Sequence, residues 1–131
     1  REELFFNNNN LASHVFTSSI ASKVDVNAPI EYSISKSALE ILIKKLSKHI
    51  APNQRINIVS PGHIFTETGT WGIQSLKNPN KVKAIIENEI PLKRLGQTND
   101  IVSIYSTLIS QSSSYMTGSN IVIDGGISSS K

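Results

Sequence analysis

Three short segments rich in β-branched residues alternate with longer segments of helical periodicity, and this alternation constrains the fold more than any other feature. The strand-like segments span residues 14–19, 55–60 and 120–126, and the last is an apolar run that ends in two glycines. Strands joined by crossover helices form a parallel sheet that is covered on both faces, with right-handed connections. The sequence therefore predicts an α/β fold with about three parallel strands.

The longest helix is predicted over residues 29–50. Asn27 is suited to cap its start, Pro29 fits the first turn, and Pro52 ends the periodic run. The residues predicted to face inward recur at helical spacing: Leu39, Leu42, Leu46 and Ile50.

Two further helices are predicted in the second half of the chain. One begins at Pro79 and ends before Pro91, with inward residues Val82, Ile85, Ile86 and Ile90. The other is capped by residues 98–100 and continues to about residue 112, with a buried stripe formed by Ile101, Ile104, Tyr105, Leu108 and Ile109. Residues 66–78 have weak periodicity and are predicted to form a mobile loop or lid, and the asparagine run at 7–10 is predicted to be a loop after a helix.

Composition places the chain among globular proteins and excludes several classes. Of its 131 residues, 38% are hydrophobic and 18% charged, and none is cysteine, which fits a cytoplasmic protein without disulfides or thiolate metal sites. Its apolar runs are far shorter than a membrane span, and its start has no secretory signal pattern. The net charge of +3 comes from scattered lysines without interleaved aromatic residues, so we expect neither membrane nor nucleic acid as a partner. The start at Arg1 is interpreted as a position inside a longer chain.

Tyr32 and Lys36 are the first candidates for chemistry. They are four residues apart in the predicted long helix, so their side chains share one face. A tyrosine hydroxyl releases its proton reluctantly at neutral pH, and a nearby ammonium favours the phenolate. Ser18 and Ser19 stand at a strand end and could hold a substrate oxygen, but alternation sends them to opposite faces, so at most one can join Tyr32.

Five ordered sequence blocks resemble the short-chain dehydrogenase/reductase family in its simple one-domain type. The first is Tyr32-x-x-x-Lys36 with Ser19 thirteen residues before the tyrosine, and the second is the strand and Pro-Gly turn at residues 57–66. The remaining blocks are residues 91–96 with Asp100-Ile101, residues 115–118, and residues 123–126. A single Tyr-x-x-x-Lys arises often by chance, whereas five blocks in the family's order are a specific signal.

The resemblance implies an oxidoreductase that interconverts a carbonyl and an alcohol by hydride transfer with NAD or NADP. Tyr32 would be the proton donor or acceptor, Lys36 would assist it and bind the nicotinamide ribose, and Ser19 would orient the substrate oxygen. The cofactor-binding residues that the family pattern implies are Tyr32, Lys36, Pro61, Gly62, Ile64 and Thr66. The resemblance also implies a small-molecule substrate and a homodimer or homotetramer.

Three features of the family pattern are absent from the sequence: the glycine-rich turn that binds the pyrophosphate, the acidic or basic residue that selects NAD or NADP, and the asparagine of the proton relay. No Gly-x-Gly-x-x-Gly motif occurs, so the part of the site that binds the pyrophosphate cannot be formed by these residues. The resemblance therefore implies that residues 1–131 are the C-terminal part of a single Rossmann-like, doubly wound domain, without its N-terminal dinucleotide-binding half.

Alternatives remain open for each candidate. Tyr32 and Lys36 could be ordinary surface residues, Ser19 could serve only to bond the next loop with Ser18 as its rival, and Thr66 could cap a turn. Trp71 could close over substrate or pin its own loop. The three histidines have no metal-ligand spacing, so we expect no metal. The chain as a whole could be a structural or oligomerisation module of such a protein.

Overall fold

The computed structural model describes residues 12–129 and contains a parallel three-stranded sheet in the order β1, β2, β3. The strands are β1 Ala12–Thr17, β2 Gln54–Pro61 and β3 Asn120–Ile123. Thr17 pairs with Val59, and Pro61 pairs with Ile123, so the carboxyl ends of all three strands lie at one edge of the sheet. The predicted α/β fold with three parallel strands is confirmed. The predicted loop at residues 7–10 lies outside the described residues.

Four α-helices connect and follow the strands. They are α1 Ile30–Ile50, α2 Thr70–Lys77, α3 Pro79–Glu89 and α4 Thr98–Ile109. Short 3₁₀ turns occur at Ile20–Ser22, Gln111–Ser113 and Ile127–Ser129. Within residues 12–129, no helix is both long enough and apolar enough to cross a membrane.

Helix α1 packs on one face of the sheet through a stripe that matches the predicted one only in part. Ile43 is buried with Ile56 and Ile58 of β2, and the partly buried residues that pack against this cluster are Leu39 and Ile50. Leu42 and Leu46 are exposed, so their predicted burial was wrong. A helix of 3.6 residues per turn supports two neighbouring apolar stripes here, and the sheet covers only one of them.

The start of α1 also differs from the prediction. Pro29 occupies the N-cap position, and no side chain provides a capping hydrogen bond there. Asn27, the predicted cap, instead has a positive φ of 55° and donates its backbone N–H to Asp25. Asparagine tolerates this conformation because its short polar side chain can bond locally, so the residue makes a turn before the helix begins.

The central strand β2 is covered on both faces, because alternate side chains contact different helices. Ile56 and Ile58 face α1, whereas Arg55 reaches the chain segment that follows α4. The buried guanidinium of Arg55 donates to main-chain carbonyl oxygens at Leu108, Ser110, Ser113 and Met116. A cation is favourable here because the carbonyl oxygens at and just after a helix C-terminus carry partial negative charge.

Residues 70–77, predicted as part of a mobile loop, form the helix α2. Gly72 is buried there, and a Cβ atom on it would lie 2.1 Å from the carbonyl oxygen of Thr66. Only glycine at this position of α2 lets the backbone at Thr66 approach the helix so closely. The sequence did not predict this helix because its apolar periodicity is weak. The residue that it buries, Gly72, has no side chain and adds nothing to an apolar pattern.

Helices α3 and α4 largely match their predictions. Val82 and Ile90 are buried, and Pro79 stands at the start of α3. Helix α4 begins at Thr98, and its N-cap is Gln97, one residue before the predicted cap; Gln97 and Asp100 form a reciprocal capping box. Ile109 is exposed, so its predicted burial was wrong, because α4 ends there and the chain turns away.

Candidate active site

A cleft of about 610 Å³ lies beyond the carboxyl ends of β1 and β2. Parallel α/β sheets place ligands at this edge, because the loops that leave the strands diverge there. The predicted site residues that line the cleft are Ser19, Tyr32, Pro61, Gly62 and Ile64. They come from three separate chain segments that the sheet brings together.

Tyr32 and Lys36 occupy the first two turns of α1, on the side that faces this edge. The ring of Tyr32 is 41% exposed and lines the cleft. The ammonium nitrogen of Lys36 lies 5.6 Å from the centroid of that ring and donates a 3.0 Å hydrogen bond to the carbonyl oxygen of Thr17. The expected sharing of one helix face is therefore present in the structure, and the positive charge lies beside the phenol.

The structure gives the two neighbouring serines different surroundings. Ser18 is buried, and its hydroxyl donates to Oε1 of Glu40 at 2.8 Å. Ser19 is partly buried at the cleft, where its Oγ accepts a hydrogen bond of 3.2 Å from the amide of Ala21. A hydroxyl that accepts one bond can still donate its proton, so Ser19 is the better placed of the two to bond a substrate oxygen.

Glu40 was missed by sequence reasoning, although it is the best-connected carboxylate of the site. It follows Lys36 by one turn of α1, and its hydrogen-bond donors are Ser18, Ser22, Ser60 and Lys23. Burial alone would raise the pKa of Glu40, but these bonds from Ser22, Lys23, Ser18 and Ser60 lower that pKa from 4.5 to about 2. The sequence did hold a signal that could have identified Glu40. It is a polar residue four positions after Lys36, within an apolar helix face.

The Pro61-Gly62 turn forms one wall of the cleft. The amide of Gly62 donates to the carbonyl oxygen of Ile123 at 2.9 Å, which extends the β2–β3 pairing beyond the strand. A Cβ atom on Gly62 would lie 2.7 Å from Cα of Asp124, so only glycine lets the two segments approach this closely. Ile64 follows the turn and forms a parallel bridge with Gly96, which fixes the wall from its other side.

Thr66 lies outside the group that lines the cleft. Its side chain is exposed, and its carbonyl oxygen accepts a 3.1 Å bond from the amide of Gly69 in the turn before α2. Lys36 is also absent from the lining, although its ammonium lies near Tyr32. A cofactor role for Thr66 stays a prediction from the family pattern.

His63 and Trp71 form an aromatic pair at the mouth of the cleft. Their ring centroids are 4.1 Å apart with an interplanar angle of 32°, and both residues line the cleft. His63 is 7% exposed, so its side chain is buried although it lies in the loop after β2. The pair joins the Pro-Gly turn to α2, because His63 follows Gly62 and Trp71 lies in the first turn of that helix.

Residues 12–129 contain no group of three or more His, Cys, Asp or Glu side chains placed to hold a metal ion. The polar side chains that line the cleft carry a phenol, hydroxyls, an imidazole and an amide, and the ammonium of Lys36 lies nearby. Such donors suit proton transfer and hydrogen bonding to hydroxyl or carbonyl oxygens.

Comparisons with known proteins agree with this arrangement. A family model described as enoyl-(acyl carrier protein) reductase matches residues 2–128. A short-chain dehydrogenase/reductase of Arabidopsis thaliana is 35% identical over 118 residues, which cover 90% of this chain and 45% of that protein. A 3-oxoacyl-(acyl-carrier-protein) reductase of Chlamydia pneumoniae is 34% identical over 116 residues, 88% of this chain and 44% of that protein.

Solved structures show the same fold. A 4-hydroxyisoleucine dehydrogenase complexed with NADH superposes with a TM-score of 0.78 at 33% identity, covering 89% of this chain and 47% of that one. A 3-oxoacyl-(acyl-carrier-protein) reductase from Agrobacterium tumefaciens with NADP bound has a TM-score of 0.81 at 22% identity and shows the fold alone. The chain spans about half the length of the relatives it matches. By its sequence blocks, its parallel sheet and these matches, the chain belongs to the short-chain dehydrogenase/reductase family.

Proposed function

We propose that the protein to which this chain belongs is an NAD- or NADP-dependent oxidoreductase that interconverts a carbonyl and an alcohol. The observation that carries the proposal is the position of the Lys36 ammonium, 5.6 Å from the centroid of the Tyr32 ring, at the carboxyl edge of the sheet. The names of the relatives support it, because they are reductases and dehydrogenases, and two of the structural neighbours hold NADH or NADP.

In the direction of reduction, the Tyr32 hydroxyl gives its proton to the carbonyl oxygen of the substrate. Ser19 donates a hydrogen bond to the same oxygen and orients it, while the Lys36 ammonium stabilises the negative charge left on Tyr32. The reduced nicotinamide supplies the hydride that the carbonyl carbon receives. Oxidation of the alcohol reverses each transfer, with Tyr32 accepting the proton.

The residues present fit the nicotinamide half of such a cofactor. An ammonium has three donors, and Lys36 uses one on Thr17, which leaves two for the ribose hydroxyls. The remaining residues proposed to contact the cofactor are Tyr32, Pro61, Gly62, Ile64 and Thr66. Because the sequence has no glycine-rich pyrophosphate motif, we propose that residues 1–131 are the C-terminal part of one Rossmann-like domain, completed by an N-terminal half elsewhere in a longer protein.

The Tyr32→Phe variant of the full-length enzyme tests the proposal. Loss of the hydroxyl should lower kcat by about 100-fold or more, because Tyr32 is the proposed proton donor, while circular dichroism stays unchanged. Tyr115→Phe is the matched control, since the Tyr115 side chain is fully exposed and distant from the cleft lining. Full activity of the Tyr32→Phe enzyme would contradict the mechanism.

A second candidate function is a structural or oligomerisation module, with a homodimer or homotetramer as the assembly. It is favoured by the exposed apolar side chains on one side of α1, which include Ile34, Ile41 and Leu42. Titrating NADH and NADPH against the fluorescence of Trp71, together with the mass in solution, separates the candidates for this chain. A stable oligomer without saturable binding would favour the module. The absence of cysteine is consistent with a cytoplasmic location, which we propose for either candidate.

A further inference from the structure

A carboxylate below the cleft holds together the chain segment that carries Ser19. Glu40 projects from α1 toward the loop after β1, and its side chain is 15% exposed. We infer that Glu40 is a positioning residue for Ser19, which acts by holding the residues on both sides of that serine. The inference rests on the proposed function, in which Ser19 bonds the substrate oxygen.

Two of the bonds to Glu40 flank Ser19 in the sequence. Ser18 Oγ donates to Oε1 at 2.8 Å, and Ser22 Oγ donates to the same oxygen at 2.5 Å. Because both hydroxyls bond the same carboxylate oxygen, the chain from residue 18 to residue 22 is held as a closed loop. Within that loop the amide of Ala21 bonds Ser19 Oγ, which sets the rotamer of the Ser19 side chain.

A third bond connects the loop to the other wall of the cleft. Ser60 is fully buried on β2, and its Oγ lies 3.0 Å from Oε1 of Glu40. The next residues after Ser60 are Pro61 and Gly62, which line the cleft. Glu40 therefore fixes the loop of Ser19 relative to the wall proposed to contact the nicotinamide, and misplacement of a reacting group by about 1 Å can cost on the order of 100-fold in rate.

The negative charge of Glu40 matters as well as its shape. Lys23 donates to Oε2 at 2.9 Å, so one oxygen faces an ammonium while the other accepts from hydroxyls. Glutamine has nearly the same shape, but its amide nitrogen can only donate. The amide nitrogen would either face the Lys23 ammonium, where one donor meets another, or face the three serine hydroxyls, which would have to turn and accept from only two N–H groups. Either way the loop would lose part of its anchor.

A double-mutant cycle in the full-length enzyme tests the inference. We expect Glu40→Gln to lower kcat about tenfold with KM for the dinucleotide changed by less than about twofold, and to have no further effect in a Ser19→Ala background. Equal losses in the two backgrounds would overturn the inference, because a merely structural role does not depend on Ser19. Glu31→Gln, an exposed glutamate in the first turn of α1, is the matched control.

Two additional measurements keep the test decisive. If Glu40→Gln fails to fold, Ser18→Ala replaces it in the same cycle, since it removes one donor and leaves the carboxylate in place. Amide hydrogen exchange of Ala21, Ser22 and Lys23 needs no activity, and we expect it to be at least about tenfold faster in Glu40→Gln than in Glu31→Gln. Unchanged exchange would overturn the inference. Full activity of Ser19→Ala would instead contradict the proposed function, and the exchange data would still decide whether Glu40 orders the loop.

Discussion

The ammonium of Lys36 donates a 3.0 Å hydrogen bond to the carbonyl oxygen of Thr17, the last residue of β1. This bond ties the second turn of α1 to the end of the strand and holds the positive charge beside the Tyr32 ring. A flexible lysine would otherwise spread over many rotamers, at an entropic cost of up to about 2 kcal/mol when it is ordered. Tyr32, the proposed acid/base residue, therefore already has the ammonium of Lys36 held beside it.

Replacing Lys36 by methionine keeps most of the side-chain volume and removes the charge. We expect kcat to fall by about 100-fold or more, because the phenolate of Tyr32 loses its stabilising cation, and KM for the dinucleotide to rise because the ribose loses its donors. Steady-state kinetics of the full-length enzyme measure both constants. Lys44→Met on the exposed side of α1 is the control, and equal kinetics of the two variants would contradict the role proposed for Lys36.

The stability of the protein should depend on acid pH through Glu40. Its pKa is lowered to about 2 in the folded state from an ordinary value of 4.5, so the unfolded chain binds the proton more readily. The stabilisation is therefore complete above about pH 4.5 and is lost as pH falls toward 2, with a total of roughly 3 kcal/mol. Urea unfolding at pH 6 and pH 3 should show a smaller drop for Glu40→Gln than for the unmodified protein. An equal drop in both would show that another group carries the dependence.

Arg55 is expected to stabilise the fold strongly. Arg55 is 6% exposed, and its guanidinium bonds carbonyl oxygens of four residues at or after the end of α4, so Arg55→Met would remove several charge-assisted hydrogen bonds from a buried site. We expect the free energy of unfolding to fall by about 3 kcal/mol. Denaturant unfolding measures the change. Lys45 is exposed, and Lys45→Met is the control, which should change the free energy of unfolding by less than about 0.5 kcal/mol. An equally small change for Arg55→Met would contradict the prediction and would mean that water replaces the lost donor.

Much of the secondary structure could be predicted because its signals are local. The β-branched segments and the Pro-Gly and Gly-Gly turns located all three strands, and prolines marked the ends of α1 and α3. Helix α2 was missed because its packing depends on the buried Gly72 and on the contact of Trp71 with His63. Neither contact leaves a periodic apolar pattern in the sequence.

The candidate site was predictable in part, through spacing within one helix. The four-residue interval places Tyr32 and Lys36 on the same face in any α-helix, and the structure has them there. The choice between Ser18 and Ser19 could not be made, because it depends on a carboxylate that lies more than twenty residues further along the chain. Only the packing of α1 on the strand end turns the hydroxyl of Ser18 toward Glu40, although both serines line the cleft.

By itself, the sequence determined the order of the three strands and of helices α1, α3 and α4, the family blocks, and the shared helix face of Tyr32 and Lys36. Each of these depends on residues near one another in the chain. Only the tertiary structure decided which stripe of α1 is buried, as Ile43 is covered and Leu42 is not. It also decided that the hydroxyl of Ser18, and not that of Ser19, donates to Glu40, and how Glu40 joins three segments. These outcomes depend on contacts between distant parts of the chain, whose geometry is fixed by sheet register and helix packing and leaves no local pattern.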